Sequence, residues 1–344
     1  MAERIARGKL RQSSLRIYDS RWKRFSTWCS KRKISPWHVS VQQLADFLLS
    51  LFEEGNLKVS TIEGYKSAIS ATLKVRGANL GSDPFLCGLV NSFYTDRPVE
   101  RNLAPRWDLS VVLSALTKSP FEPRDMASVD LSLLTYKTVF LLALATGARR
   151  GEIHALDRSL LRWSSDGKDV FLRPRVGFVS KTQVARDPST ALTGFWVKSL
   201  SATMDRSEPD RSLCPVRALR FYLARTESSR AGRKPLFLPL RATVSGHLSP
   251  NTISAWIRKT ISLAYQVAGK DEELVRLHSL RAHETRALSS SWDALRNTSV
   301  KDIMDACRWR SHNTFTSFYL RDLVEVEDRL LALKCFPTAA SNRF

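Results

Sequence analysis

The sequence lacks any apolar run long enough to span a bilayer. Its longest apolar stretch, TVFLLALAT, is bracketed by Lys137 and Arg149 and is much shorter than a transmembrane helix. Its first residues, MAERIARGKLRQ, are charged and lack the hydrophobic segment of a secretory signal. We therefore expect a chain that stays inside the cell and does not enter a membrane.

Cysteine is scarce, and so are the motifs of metal and nucleotide sites. The 5 cysteines are odd in number, widely separated and free of any Cys-x-x-Cys pair, which predicts reduced thiols rather than a disulfide framework or a zinc site. The sequence also has no phosphate-binding P-loop and no cluster of acidic metal ligands. We expect a protein that needs no metal ion and no cofactor.

Acidic residues are few, since 33 Asp and Glu stand against 54 Lys and Arg, for a net charge of +21. The resulting field attracts polyanions, with DNA or RNA ahead of an anionic membrane surface. The 344 residues exceed the usual size of one domain, and 43% hydrophobic content is enough for ordinary cores. We expect a soluble protein of two domains.

Residues 1–97 are predicted to form an all-helical domain. Apolar residues recur every three or four positions in the first helix, a second helix follows Ser40, and a fourth covers FLCGLVNSFY. The third begins at STIEGYKSAISATLKV, where Ser60 and Glu63 have the spacing of a capping box. The apolar stripe of the first helix consists of Leu15, Tyr18, Trp22, Phe25 and Cys29.

The first helix is also strongly basic, because residues 1–33 carry eleven Lys or Arg and two acidic residues. Its polar face either follows a phosphate backbone by counterion release or is an ordinary solvated surface. On the first interpretation, Arg16, Lys23 and Lys66 are the predicted DNA contacts of this domain.

A linker is predicted at residues 98–106, where TDRPVERNLAPRWD combines Pro98 and Pro105 with charges and little apolar periodicity. The second domain is predicted over residues 107–335, and a tail over residues 336–344. The predicted fold class is mainly α, with an α+β second domain that contains a small antiparallel sheet.

That sheet is predicted from four strand-like runs, LRW, VFL, VGFVS and GFWV, with an Asp166-Gly167 turn between the first two. Helical patterns at residues 109–117 and 132–145 precede the runs. Helices return from about residue 214 onward.

The motif LALATGARRGEIHAL combines a helix end with a charged pair. Gly147 suits a helix terminus because glycine adopts positive φ freely, and Arg149 follows it, with Glu152 three residues after the arginine. A charge-assisted hydrogen bond from Arg149 to Glu152 would fix the guanidinium for bidentate phosphate recognition. A structural Arg/Glu pair at a helix start is the alternative.

The segment LVRLHSLRAHETR places His278 and Arg281 three residues apart, a spacing that puts both on one face of a helix. The imidazole can exchange a proton near neutral pH while the guanidinium stays cationic, which suits an anionic substrate. Such pairs are common, and a capped surface turn is the alternative.

The segment ACRWRSHNTFTSFYLRD places Tyr319 in an aromatic run flanked by Arg308, Arg310 and Arg321. At helical spacing an aromatic of this kind usually packs in a core. The other interpretation is a nucleophile held near a bound phosphate, but this segment on its own favours packing.

In this order and after a basic helical domain, TGARRGE, HSLR and WRSHNTFTSFYLR resemble the motifs of the tyrosine recombinases, also called the phage-integrase family. The resemblance extends over nearly the whole chain and implies a core-binding domain followed by a catalytic domain. More narrowly, WDLSVVLSALTKSPFEP, CPVRALRFYLART and TFTSFYLR are similar to segments of the recombinases of DIRS-type eukaryotic retrotransposons.

The resemblance implies a role for each motif residue. Arg149 corresponds to the first catalytic arginine, and Glu152 to the acidic residue that supports it. His278 and Arg281 match the His-x-x-Arg pair of the family, and Tyr319 matches its nucleophile.

Two further positions follow from the same resemblance. The catalytic lysine of the family lies on a β-hairpin, for which Lys181 in VGFVSKTQ is the match, while Lys198 is also in range. The family has a His or Trp commonly nine residues before the tyrosine, where this chain has an arginine. Trp309, ten residues before the tyrosine, is assigned to this role, and His312, seven residues before it, is the alternative.

The implied reaction is DNA cleavage and rejoining through a 3′-phosphotyrosyl bond, for site-specific recombination or integration of a mobile element. Arg149 and Arg281 would clamp the phosphate oxygens, because negative charge grows on them during the attack. His278 would be the base, and Lys181 would protonate the leaving 5′ oxygen. A catalytically silent DNA-binding relic or host-adopted protein, and a type IB topoisomerase, are the alternatives.

The implied partner is double-stranded DNA, with self-association into a dimer or tetramer on DNA, and nuclear residence if the source is eukaryotic. A C-terminal helix would dock either on a neighbouring protomer or on its own domain; its stripe consists of Leu323, Val326, Leu330 and Leu331. The DNA-backbone contacts expected in the second domain are Arg150, Arg308, Arg310 and Arg321.

Overall fold

The computed structural model describes residues 12–75, 77–100, 104–122, 129–184, 187–200, 211–241, 248–276, 280–295, 298–307, 309 and 311–321. The chain divides into two compact units, Met1–Arg101 and Asn102–Phe344. The division falls inside the predicted linker. No helix within the described ranges is long and apolar enough to cross a membrane.

The first unit is a bundle of helices. The helices are α1 (Gln12–Lys31), α2 (Val41–Glu53), α3 (Val59–Lys74) and α4 (Pro84–Asp96). α3 packs against the other three helices, and the apolar faces of α2 and α3 are buried in the core. In the α1 stripe only Phe25 and Cys29 are fully buried, because the N-terminal part of that face stays partly exposed.

The capping box of this unit forms at α2 and not at α3. The Ser40 hydroxyl accepts a hydrogen bond from the backbone N–H of Gln43, whose side chain accepts one from the backbone N–H of Ser40. The box predicted for Ser60 and Glu63 is wrong. α3 already begins at Val59, so Ser60 lies inside its first turn, and Glu63 instead accepts a hydrogen bond from Tyr94.

The second unit is built around one apolar helix, α6, which contains TVFLLALAT and is buried along most of its length. α6 packs against α8, α9, α11 and strand β3. The core of the second unit therefore surrounds α6, and the Gly147 and Arg149 motif follows the C-terminal end of that helix. The described helices are α5 (Leu109–Leu116), α6 (Leu131–Thr146), α7 (Arg150–His154), α8 (Pro215–Thr226), α9 (Pro250–Val267), α10 (Asp271–Arg276), α11 (Glu284–Leu295), α12 (Val300–Cys307) and α13 (His312–Phe318).

A small antiparallel sheet covers part of this core, as predicted. Its strands are β1 (Arg162–Trp163), β2 (Val170–Leu172) and β3 (Phe195–Val197), in the order β1-β2-β3. Gly167 makes the turn between the first two strands at a φ of 68°. The strand predicted at VGFVS is wrong, because Gly177 takes a φ of 77° and the segment forms a turn followed by irregular backbone.

Candidate active site

The end of α6 and the start of α7 fix Arg149. α6 ends at Thr146, and Gly147 follows with a φ of 54°, which turns the chain into the short helix α7. Glu152 Oε1 lies 3.0 Å from Arg149 Nη1, and Oε2 lies 2.8 Å from the backbone nitrogen of Arg149. The carboxylate is buried and the guanidinium is 14% exposed. The predicted hydrogen bond between the two side chains is therefore confirmed.

A His-x-x-Arg pair lies beside Tyr319, and it consists of His283 and Arg286. His283 Nε2 lies 2.7 Å from the Tyr319 hydroxyl oxygen. Arg286 is buried, and its guanidinium donates hydrogen bonds to the carbonyl oxygens of Gly147 and Cys307. Because these carbonyls belong to the ends of α6 and α12, Arg286 joins both helix ends to the site.

This pair is not the predicted one. His278 lies outside the described residues, and Arg281 is exposed with no described side-chain contact to the residues around Tyr319. The predicted helical face does not form at Arg281, because α10 ends at Arg276 and α11 begins only at Glu284. The segment HSLRAHETR contains two His-x-x-Arg spacings, and the second lies at the start of the amphipathic pattern of α11. The position at the start of a helical pattern is the feature of the sequence that distinguishes the second pair from the first.

Tyr319 lies directly after α13, with one ring face against Trp309. The two ring centroids are 4.5 Å apart, and Trp309 also stacks on Phe315 at 5.4 Å. Trp309 is 6% exposed, whereas the alternative residue, His312, is exposed. The indole nitrogen of Trp309 is buried and has no hydrogen-bond partner among the described residues. Tyr319 therefore has a packed ring and a hydroxyl that contacts a polar group.

Desolvation and four neighbouring cations lower the pKa of His283 to about 4. The cations, in decreasing order of effect, are Arg286, Arg149, Lys181 and Arg150. Residue 283 keeps surface open to solvent, so water screens these charges in part. The direction of the shift still leaves the imidazole neutral at pH 7, and a neutral ring can accept a proton from the Tyr319 hydroxyl.

The two candidate lysines lie in different surroundings. Lys181 is exposed in the connection between β2 and β3, and its charge acts on His283. Lys198 directly follows β3, and its Nζ lies 2.9 Å from Asp169 Oδ2. Lys181 is therefore the lysine whose charge reaches the site, although its segment is a turn and not a strand.

Among the predicted DNA contacts, Arg16, Lys23 and Arg150 are exposed. Arg308 and Arg310 lie outside the described residues, as does the predicted C-terminal helix. No group of three or more His, Cys, Asp or Glu side chains able to hold a metal ion occurs in the described part of the chain.

Two of those predicted contacts need correction because both side chains are used inside the protein. Lys66 is 8% exposed, and its Nζ lies 3.0 Å from Cys87 Sγ. The Arg321 side chain is 15% exposed and forms an ion pair with Glu284, with 2.6 Å between Nε and Oε1. Both side chains therefore have partners inside the protein.

No protein-family model and no curated protein matches the chain. A solved lambda integrase(75-356) dimer bound to a COC′ core site is similar, with 15% sequence identity, a TM-score of 0.52, and coverage of 95% of this chain and 96% of that chain. XerA recombinase matches at 15% identity and a TM-score of 0.39, over 96% of this chain and 93% of its own. The integrase of mycobacterium phage Brujita matches at 15% identity and a TM-score of 0.31, over 97% and 96%. The likeness to lambda integrase shows that the chain has the integrase fold.

Proposed function

We propose that this protein breaks and rejoins double-stranded DNA, with Tyr319 as the nucleophile. The observation that carries the proposal is the hydrogen bond between the Tyr319 hydroxyl and His283, whose imidazole also lies within the field of Arg149, Arg286 and Lys181. A neutral acceptor beside a phenol, surrounded by cations, is the arrangement that activates an oxygen nucleophile against a phosphodiester. The net charge of +21 and the integrase fold support DNA as the substrate.

In this proposal His283 and Arg286 take the roles first assigned to His278 and Arg281. The Tyr319 oxygen attacks the phosphorus, its proton passes to His283 Nε2, and the bond from phosphorus to the 5′ oxygen breaks. Lys181 gives a proton to that leaving oxygen. The product is a 3′-phosphotyrosyl bond with a free 5′ hydroxyl, and attack of a 5′ hydroxyl reverses each transfer.

The remaining side chains would stabilise the charge that grows on the phosphate oxygens. Arg149 is held by the buried Glu152, so it is oriented before the substrate arrives. Arg286 is fixed by two backbone carbonyls and packs against Trp309, with 5.0 Å from Cζ to the ring. Trp309 contacts this site through its ring, which packs against both Arg286 and Tyr319.

The narrower parts of the proposal are recombination or integration of a mobile element and self-association on DNA. They are supported by the sequence resemblance to DIRS-type recombinases and by the integrase fold. Arg16, Lys23 and Arg150 are exposed cations that could contact the DNA backbone in such a complex.

The test is capture of the covalent intermediate on a nicked DNA substrate that cannot be religated. Wild-type protein should form a DNA adduct that Tyr319→Phe abolishes while DNA affinity is unchanged. His283→Gln should slow adduct formation by about 10²-fold or more, the usual range for loss of a general base. His278→Gln is the matched control and should react like the wild type.

Three outcomes would contradict the proposal or one of its parts. DNA binding without an adduct would indicate a silent DNA-binding protein. Relaxation of supercoiled DNA without any requirement for paired sites would indicate a topoisomerase. If His278→Gln lost the adduct while His283→Gln still formed it at the wild-type rate, the assignment of the pair would be reversed.

A further inference from the structure

Arg321, two residues after the candidate nucleophile Tyr319, forms a mostly buried ion pair with Glu284. Arg321 donates from Nε to Glu284 Oε1 at 2.6 Å and from Nη2 to Oε2 at 3.3 Å. The two side chains are 15% and 5% exposed. A bidentate pair of this kind holds both partners in a defined relative orientation. It therefore ties the chain just after Tyr319 to the first turn of α11.

Ser291 makes a second connection from α11 to the same segment. Its hydroxyl donates to the carbonyl oxygen of Tyr319 at 3.1 Å and accepts from the backbone N–H of Arg321 at 2.8 Å. A serine hydroxyl has one proton to donate, so these two bonds together fix its orientation. Ser291 is 1% exposed, which places both bonds in a region shielded from water.

Both connections come from one face of one helix. Glu284 and Ser291 are seven residues apart, so they lie two turns apart on the same side of α11. His283, whose Nε2 lies 2.7 Å from the Tyr319 hydroxyl oxygen, directly precedes this helix. α11 thus contacts Tyr319 at its carbonyl and Arg321 at its backbone and side chain, and the residue directly before α11 contacts the Tyr319 hydroxyl.

A fixed phenol matters because in-line attack tolerates little displacement. A misplacement of roughly 1 Å can slow a reaction by on the order of 10²-fold. The packing of the Tyr319 ring against Trp309 restricts one direction, while the contacts to α11 restrict the backbone on which the ring is carried. The ring packing and the backbone contacts together define the position of the hydroxyl.

We propose that Glu284 and Ser291 are positioning residues that hold Tyr319 for attack, with Arg321 as their counterpart on the nucleophile segment. The inference rests on the proposed function, because it concerns the attack of Tyr319 on DNA. Neither residue touches the reacting atoms. Ser291 acts through the backbone of Tyr319 and Arg321, and Glu284 acts through the Arg321 side chain.

The experiment compares adduct formation and DNA affinity in two independent variants. The Glu284→Ala/Arg321→Ala double variant removes both charges, so neither is left buried without a partner. Ser291→Ala removes the other connection. Each should lower the single-turnover rate of adduct formation at saturating DNA by about 10- to 100-fold, with the DNA dissociation constant unchanged. Arg321→Lys keeps the charge and should recover part of the rate.

The matched control is Arg158→Ala/Glu227→Ala, which removes an Arg/Glu ion pair of the same unit with no described contact to Tyr319. It should react like the wild type. Circular dichroism tests whether each variant is folded. If the double variant is unfolded, the rate of Ser291→Ala alone tests the inference.

Two results would overturn the inference alone. One is a wild-type rate of adduct formation in folded Ser291→Ala and in the double variant. The other is a loss of DNA affinity equal to the loss of rate, since that would indicate a general structural role. If the wild type forms no adduct, the proposed function fails as well, so the two failures are distinguishable.

Discussion

His283 can accept a proton from Tyr319 only while its imidazole is neutral. At its ordinary pKa of about 6.5 the ring would be partly protonated near neutral pH, and a protonated ring has no free acceptor. Desolvation and the cations Arg286, Arg149, Lys181 and Arg150 lower that pKa to about 4. The cations proposed to act on the phosphate therefore also keep the His283 imidazole neutral, as a general base must be.

The protonation of His283 can be measured by NMR of the DNA-free protein with labelled histidine. The resonance that disappears in His283→Gln should not titrate between about pH 8 and about pH 5.5, because its pKa lies near 4. Arg150→Gln should raise that pKa by removing a nearby cation, and the exposed Arg281→Gln is the control that should not. A midpoint near pH 6.5 in the wild type would contradict the depressed pKa.

The same shift has a consequence for folding. The folded protein binds this proton less readily than the unfolded chain, whose histidine pKa is about 6.5. The contribution of His283 to stability is therefore complete above about pH 6.5 and decreases as the pH falls toward about 4. Solvent screening at this partly open residue keeps the effect small.

At the residue scale, the sequence predicts contacts that short spacings determine. The bond from Arg149 to Glu152 is one, because three residues at a helix start bring the groups together. The choice between the two His-x-x-Arg pairs is not, since their spacing is identical and only the start of α11 separates them. Burial of Lys66 and Arg321 depends on Cys87 and Glu284, which are distant in sequence, so a charge pattern alone cannot reveal it.

At the scale of elements, Lys137 of α6 is a fully buried cation that connects several helices of the second unit. Its Nζ lies 2.8 Å from the Leu116 carbonyl oxygen at the end of α5 and 2.5 Å from Glu122 Oε2. The other oxygen of Glu122 lies 2.5 Å from Arg217 of α8. The Glu122 carboxylate thus links Lys137 of α6 to Arg217 of α8, close to the end of α5.

Desolvation lowers the pKa of Lys137 to about 8, and Glu122 offsets this only in part. Between about pH 8 and about pH 10.5 the unfolded chain holds a proton that the folded protein has released, so stability rises with pH. The full gain is about 3 kcal/mol for a shift of this size. Urea unfolding across this range should show the wild type gaining stability relative to Lys137→Met; parallel curves for the two proteins would contradict the depressed pKa.

Elements with a clear period of three or four residues, such as α2 and α3, are predicted well from the sequence. Strands of two or three residues carry too little pattern for this. VFL forms β2, while VGFVS, which looks equally strand-like, is a turn because of Gly177. VFL becomes a strand because it pairs with β3, and such pairing depends on residues that are distant in sequence.

At the scale of the whole molecule, the charge of +21 is distributed between exposed cations and cations used inside the fold. Arg16 and Lys23 are exposed and lie seven residues apart on α1, so they share one face of that helix. Lys66 carries the same formal charge but is buried against Cys87. Net charge alone would treat all three as equivalent contributors to DNA binding.

If the chain binds DNA as proposed, the salt dependence of that binding separates these two classes of cation. Each phosphate neutralised by a side chain contributes about −0.9 to the slope of log K against log salt concentration. The Arg16→Ala/Lys23→Ala variant should therefore bind more weakly, with a slope shallower by about 2. Lys66→Met removes one formal charge from the same unit and should leave the slope unchanged, because its ammonium does not reach a phosphate. Equal slopes in the wild type and the double variant would show that this face of α1 does not contact DNA.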